Sequence, residues 1–393
     1  MITRRNPRAT AFLGALLASP LLVGCATVPV QDLEGDPSSK LDRLVPELIE
    51  SERIAGVGIA MIDNGEVART WYYGEQEPGK PIDSRSVFNT ASVAKTVIAE
   101  LYIELDDRDL IDLDEAIASK VSHPDLGSDP RFEALTPRIL LSHSSGLRNW
   151  PHNYEDGKLA FDFDPGTKFG YSGAGIELAA DYAAATLGSD YANLISSYIL
   201  NPRGLTGISP GRIKPWMLDH LNRPMSGTGK WTSIELTNAN LAANLSDSAA
   251  DDLLSTVPAY ARFLESVISD AENHPIRSTI LTSVLSAPNA YCRDTITAIC
   301  PVAAGHAIGW QVNRYPDHDV VFHSGSDSGE NALVYFSPQS GHGAVIFING
   351  ANGWVALVRI VEALNQEPLF ANYLRGIIAD LLDRPLQPLP LHE

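Results

Sequence analysis

Phe88-Asn89-Thr90-Ala91-Ser92-Val93-Ala94-Lys95-Thr96-Val97-Ile98-Ala99-Glu100-Leu101-Tyr102-Ile103-Glu104-Leu105 is the stretch from which the rest of this chain is read. A serine and a lysine three apart on a helix share a face, one turn from each other. Around them Val93, Val97, Leu101 and Leu105 make one apolar stripe, and Ala94, Ile98 and Tyr102 a second. That pattern predicts a helix buried on most sides. A cation in its first turn is disfavoured by burial and by the positive end of the helix dipole. Both effects push the Lys95 amine toward its neutral form, a general base beside the Ser92 hydroxyl. The rival reading is a surface serine with a lysine whose charge reaches water.

Three further motifs follow in order. Residues 139 to 147 read Ile-Leu-Leu-Ser-His-Ser-Ser-Gly-Leu, and 161 to 175 read Phe-Asp-Phe-Asp-Pro-Gly-Thr-Lys-Phe-Gly-Tyr-Ser-Gly-Ala-Gly. Residues 322 to 329 read Phe-His-Ser-Gly-Ser-Asp-Ser-Gly. With Ser92-x-x-Lys95, this series resembles the serine β-lactamase and penicillin-binding-protein superfamily, and most of all its class C and family VIII esterase branch. The resemblance spans roughly residues 40 to 380. It implies an α+β, β-lactamase/transpeptidase-like fold: an antiparallel sheet flanked by the terminal helices, with a helical lobe inserted.

The same resemblance assigns roles. Ser92 is the implied nucleophile, Lys95 its base, and Tyr171, first residue of Tyr171-Ser172-Gly173, an acid/base that relays protons. Gly173 stands where relatives carry an asparagine that meets the substrate. His323-Ser324-Gly325 stands where they carry Lys-Thr-Gly or His-x-Gly on the strand lining the site. There the resemblance implies that His323, Ser324, Gly325 and Ser326 bind substrate. The backbone N–H groups of Ser92 and Ser326 would form an oxyanion hole, worth several kcal/mol of barrier. A histidine is mostly neutral at pH 7, so His323 would attract a substrate carboxylate less than a lysine does, which favours ester or small-amide hydrolysis over β-lactam hydrolysis. His143, in the Ser-His-Ser-Ser-Gly run, is expected to cap helix carbonyls. Trp150, His152 and Tyr154 either line the pocket mouth or pack as loop residues.

Bulk properties bound the rest. The 393 residues, 44% hydrophobic and 20% charged, are those of a globular chain able to bury a large core. A formal charge of −19 argues against nucleic acid as a partner. Residues 1–24 read as a leader, with basic Arg4, Arg5 and Arg8 before an apolar Ala11–Val23 too short to span a bilayer. Leu22-Val23-Gly24-Cys25 resembles a bacterial lipobox, which makes Cys25 the expected lipidation site; an ordinary secretory signal is the alternative. Arg4-Arg5 lacks the hydrophobic residues of a twin-arginine signal. The expected location is therefore the bacterial cell envelope, lipid-anchored and facing the periplasm. The remaining cysteines, Cys292 and Cys300, are expected to pair as a disulfide, worth about 2–3 kcal/mol for so short a loop. No metal motif is present, and no cofactor is implied.

Along the chain, residues 25–38 read as a tether and 39–385 as the catalytic domain. Its sheet lobe is expected at about 39–115 and 300–385, and its helical lobe at about 116–299. Helices are expected at about 39–53, 136–143, 173–187, 190–201 and 354–383. Strands are expected at Ala55–Ile62 and Glu66–Tyr73, joined by the hairpin turn Asp63-Asn64-Gly65. Further strands are expected at Ile308–Val312, Val320–Phe322, Ala332–Phe336 and Gly343–Asn349. The stretch 209–250 reads as loops over the cleft. The function this supports is a serine hydrolase forming an acyl-enzyme on small esters or amides. Rivals are a D-alanyl-D-alanine carboxypeptidase or D-aminopeptidase on cell-wall peptides, a weak β-lactamase and, from another class, a non-catalytic penicillin-binding-like sensor.

Overall fold

A computed structural model describes residues 36–232, 248–271, 285–286 and 300–387. The expected leader, Cys25, most of the expected tether and Cys292 therefore lie outside the described residues, whereas Cys300 is disulfide-bonded. Helix α1, Pro37–Glu52, is capped by the Asp36 carboxylate, which accepts from Ser38 N–H. It ends at Arg53 in the left-handed conformation and feeds strands β1, Gly56–Asp63, and β2, Glu66–Glu77. Their turn, Asn64 at φ 52° and Gly65 at φ 79°, has the two positive dihedrals a tight hairpin needs. At the far end of the chain, β10 (Asp319–Asp327), β11 (Glu330–Phe336) and β12 (Gly343–Asn349) form a meander, preceded by β8 (Ala303–His306) and β9 (Gln311–Arg314). All these strands join one antiparallel sheet in the order β3-β2-β1-β12-β11-β10-β9-β8-β7, where β3 is Lys80–Pro81 and β7 Leu285–Ser286. The two ends of the chain meet where β1 pairs with β12, Gly56 opposite Asn349.

Each face of the sheet is covered by helices. On one face, Val57, Ile59, Phe322, Leu333, Tyr335 and Ile346 pack against α1 and two C-terminal helices, here α7 (Trp354–Leu364) and α8 (Pro368–Leu381). On the other, Ala60, Val321, Val334, Val345 and Phe347 share a core with α2 (Ala94–Asp107) and α6 (Val257–Ala271), and α4 (Gly173–Leu187) lies against α2, where Tyr102 donates to the Ala179 carbonyl. Helix α2 is buried nearly all round, as its two stripes predict. The shorter helices α3 (Pro137–Leu141) and α5 (Tyr191–Ile195) complete the inserted lobe.

Three expectations need correction. The C-terminal helix is two helices: Asn365 turns left-handed at φ 53°, and Pro368 cannot continue the preceding helix, so the chain restarts there. The inserted lobe is not only helical. Ile208–Pro210 (β5) and Leu253–Thr256 (β6) pair with Val87–Asn89 (β4) in a small antiparallel sheet ordered β4-β6-β5. The strand expected at 308–312 begins later, at Gln311, after a reversal through Gly309 at φ 69°. Of 209–250, residues 211–232 are mostly loop with one short 3-10 turn, Pro215–Met217.

Candidate active site

The small sheet sets the site. Strand β4 delivers the chain into a single 3-10 turn, Ala91–Val93, which runs directly into α2. Ala91 is held at φ 46°, an unfavourable conformation for a residue with a β-carbon. Such strain persists where the surroundings over-determine it, and it clusters at functional sites. Here the surroundings are β10. A β-carbon at Gly325 would collide with the Thr90 carbonyl and stand 3.0 Å from Ser92 N. Only glycine lets that strand lie against the backbone of the Ser92 turn.

Lys95 is fully buried, and its Nζ donates to three oxygens: Ser92 Oγ at 2.9 Å, the Ala250 carbonyl at 2.8 Å and Asp251 Oδ1 at 3.1 Å. Three acceptors match the three N–H bonds of an ammonium. The Ser92 hydroxyl in turn donates to Asp251 Oδ1 at 2.7 Å. Asp251 keeps 30% of its side chain exposed, so this triangle opens to solvent on the carboxylate side. Nothing around Asp251 in the sequence marked it, because the contact is made across 159 positions.

The loop carrying Ala250 and Asp251 is fixed by Glu177, one turn into α4. Its carboxylate accepts from Ser248 Oγ at 2.5 Å, Ala249 N–H at 3.0 Å and Ala250 N–H at 3.1 Å. Burial pushes the Glu177 carboxyl above its usual range, opposed by these donors and by the Lys95 charge. The same helix begins at Tyr171-Ser172-Gly173, with Ser172 as its N-cap accepting from Gly175 N–H. One helix thus places both Tyr171 and the clamp on the Asp251 loop.

Tyr171 meets the site through its ring: Lys95 Nζ lies 5.2 Å from the ring centroid. The ring also stacks on His143, at 4.2 Å between centroids and 27° between planes. His143 does not cap helix carbonyls, as its sequence position suggested. It is fully buried at φ 54°, and its Nδ1 accepts from Ser172 N–H at 3.1 Å. His306 packs edge-on to His143 at 5.2 Å and stacks on Phe169.

His323 requires the largest correction. It lies on β10 facing α2, but it is only 1% exposed, with Nδ1 2.8 Å from the Ser324 carbonyl. Burial and the Lys95 charge push its pKa down to about 3. Burial, helped by His323, likewise pushes His306 down to about 3, and His143 is depressed well below its usual value by burial, His306 and Lys95. His323 is therefore a neutral residue beneath the site and not a rim residue that meets a substrate. Ser324 is also displaced from its expected role. It sits opposite Leu333, on the sheet face that packs against the C-terminal helices, so its side chain points away from Ser92. Gly325 abuts Ser92, and Ser326 beside it is exposed at the strand end.

Gly173 fits its place for a reason the sequence did not show. A β-carbon there would fall inside the Trp150 indole, which is half-buried and stacks on His152 at 6.0 Å. Gly173 N–H donates to Asn149 Oδ1 at 2.7 Å, tying this loop to the start of α4. Among the described residues, no group of three histidine, cysteine or acidic side chains is arranged to hold a metal ion.

A family model described as Beta-lactamase matches residues 41–364, which takes in every residue of this site. The chain belongs to the β-lactamase family. Among solved structures, the octameric penicillin-binding protein homologue from Pyrococcus abyssi superposes with a TM-score of 0.64 at 18% identity, over 88% of this chain and 78% of that one. The D-alanine carboxypeptidase AmpC from Burkholderia cenocepacia gives 0.66 at 18%, over 84% and 99%. At these identities the likeness is one of fold. Protein flp of Staphylococcus aureus strain N315 is 20% identical over 371 residues, 90% of this chain and 70% of that protein. A putative fimbrial assembly protein FimD of Dichelobacter nodosus is 29% identical over 180 residues, 39% of this chain and 45% of its own length. As a member of the serine β-lactamase and penicillin-binding-protein superfamily, the protein is a β-lactamase-family serine hydrolase.

Proposed function

We propose that the protein hydrolyses small neutral esters or amides through an acyl-enzyme on Ser92. Ser92 attacks the carbonyl from the N-terminal turn before α2. Lys95 holds the nucleophile and offsets the charge that develops on it, and Tyr171 supplies a proton to leaving groups that need one. Backbone N–H groups at Ser92 and Ser326 stabilise the oxyanion, and water deacylates the enzyme.

The observation behind the choice of a neutral substrate is the charge around the nucleophile. Among the described residues, no lysine or arginine other than buried Lys95 contacts Ser92, Tyr171 or Asp251. His323 beneath them is neutral, and the partly exposed charge beside Ser92 is the Asp251 carboxylate. With Lys95 already paired to Asp251, a site built this way offers, among the described residues, no further cation to the carboxylate that β-lactams and D-alanyl-D-alanine peptides carry near the scissile bond. A fluorophosphonate probe should label the wild type at Ser92 and leave Ser92→Ala unlabelled, with turnover of p-nitrophenyl butyrate falling at least 1,000-fold, on the order expected for a lost nucleophile. Wild-type kcat/KM for that ester should exceed those for nitrocefin and for a D-alanyl-D-alanine peptide. Preference for either anionic substrate, or labelling that survives in Ser92→Ala, would overturn the reading.

A further inference from the structure

Deepening that reading, on which it rests, we propose that Asp251 is a catalytic residue: its carboxylate takes the Ser92 proton during acylation. Three observations converge. Ser92 Oγ–H donates to Asp251 Oδ1 at 2.7 Å, so the proton already points at this oxygen. Lys95 Nζ is within hydrogen-bond distance of three oxygens, one of them Ser92 Oγ itself, so it acts toward the serine as donor. Tyr171 presents its ring to Lys95, and among the described residues its hydroxyl makes no hydrogen bond to Ser92. Asp251 is also held firmly, because the N–H of Ala250 before it and two further donors are bound to Glu177.

The Oγ–H bond of Ser92 breaks, its proton goes to Asp251 Oδ1, and the oxygen's electron pair forms the bond to the substrate carbonyl carbon. The carbonyl π pair moves to oxygen and then returns, breaking the bond to the leaving group. A p-nitrophenolate leaves as an anion, and the Asp251 proton passes to solvent at its exposed edge. In deacylation, a water O–H proton goes to Asp251 while that oxygen bonds the acyl carbon. The Oγ–C bond then breaks, and Ser92 regains a proton from Asp251 as the free acid departs.

The test is the acylation burst with p-nitrophenyl acetate, whose leaving group needs no proton from the enzyme. Asp251→Asn keeps the size and the acceptor oxygen but cannot hold the proton. It should slow the burst about 100-fold, within the range general-base catalysis supplies, while Tyr171→Phe slows it less than ten-fold. An Asp251→Asn burst within ten-fold of wild type overturns the role of Asp251. If wild type is then still labelled at Ser92, the hydrolase reading stands. Absence of any wild-type burst or label removes both. Should Asp251→Asn fail to give the wild-type circular dichroism and melting transition, Asp251→Gly replaces it, with formate added as an external carboxylate. Formate should raise its burst rate at least ten-fold, and a folded Asp251→Gly that formate does not accelerate overturns the proposal.

Discussion

Trp150 and Gly173 share one volume: the indole occupies the space into which any side chain at 173 would project. Family resemblance marked Gly173 as an omission, a missing amide, whereas the packing makes it a requirement. Gly173→Asn should therefore overpack the site, at a cost of about 1–3 kcal/mol, and lower the melting temperature. Adding Trp150→Gly should recover part of that loss, because the two changes compete for the same space and cannot be additive. Melting curves of the two single variants and the double variant check this, and simple additivity would show that the residues do not collide. Ser92 and Lys95 were legible because they are three residues apart where a 3-10 turn runs directly into α2, so local spacing is sufficient. Asp251 and Glu177 were not, since Ser-Ala-Ala-Asp-Asp at 248–252 has no periodicity of its own and acquires meaning only when α4 and β4 bring it to Ser92. His323 was legible as a residue of the site strand, but not as a buried one. The strand's alternation points it inward, and the packing on that face leaves it 1% exposed.

At the scale of elements, the loop 143–148 and strands β8 and β10 converge beneath Tyr171, and each contributes one buried histidine. In the folded protein His306 and His323 accept a proton only near pH 3, whereas in an unfolded chain they do so near the ordinary 6.5. Their contribution to stability is thus fully present above about pH 6.5 and is lost progressively as pH falls toward 3, because unfolding then takes up protons that the native state refuses. His306→Phe, which preserves the stacking on Phe169, should reduce the slope of unfolding free energy against pH in this window. The reduction should be about 1.4 kcal/mol per pH unit for one proton. Urea titrations at pH 7, 5.5 and 4.5 would measure it, and an unchanged slope would show that His306 titrates normally. The elements themselves were partly legible. The Asn64-Gly65 turn fixes the first hairpin by backbone chemistry alone, and Pro368 breaks the last helix by the same kind of local rule. Strands β4, β5 and β6 carry no such mark: they are three or four residues long, and they pair with partners far away in the sequence.

For the whole molecule, the leader reading places the folded body on a lipid at Cys25, separated from α1 by a short tether. Cys25→Ser should move the protein from the membrane fraction to the soluble fraction of the cell envelope, and a soluble wild type would exclude that anchor. The sheet order has a consequence for how such a protein is made. Strand β1 finds its partner in β12, the last strand among the described residues, and β10, which presses on the Ser92 turn, comes only slightly earlier. A chain emerging from the ribosome, or threading through a membrane channel from its N-terminus, can form α2 early. It cannot support Ala91 in its strained conformation until residues beyond 320 have arrived. The hydrolytic centre is thereby timed by synthesis: a chain interrupted before β10 carries the serine and the lysine but no working site, so activity waits for the length of the message to be read.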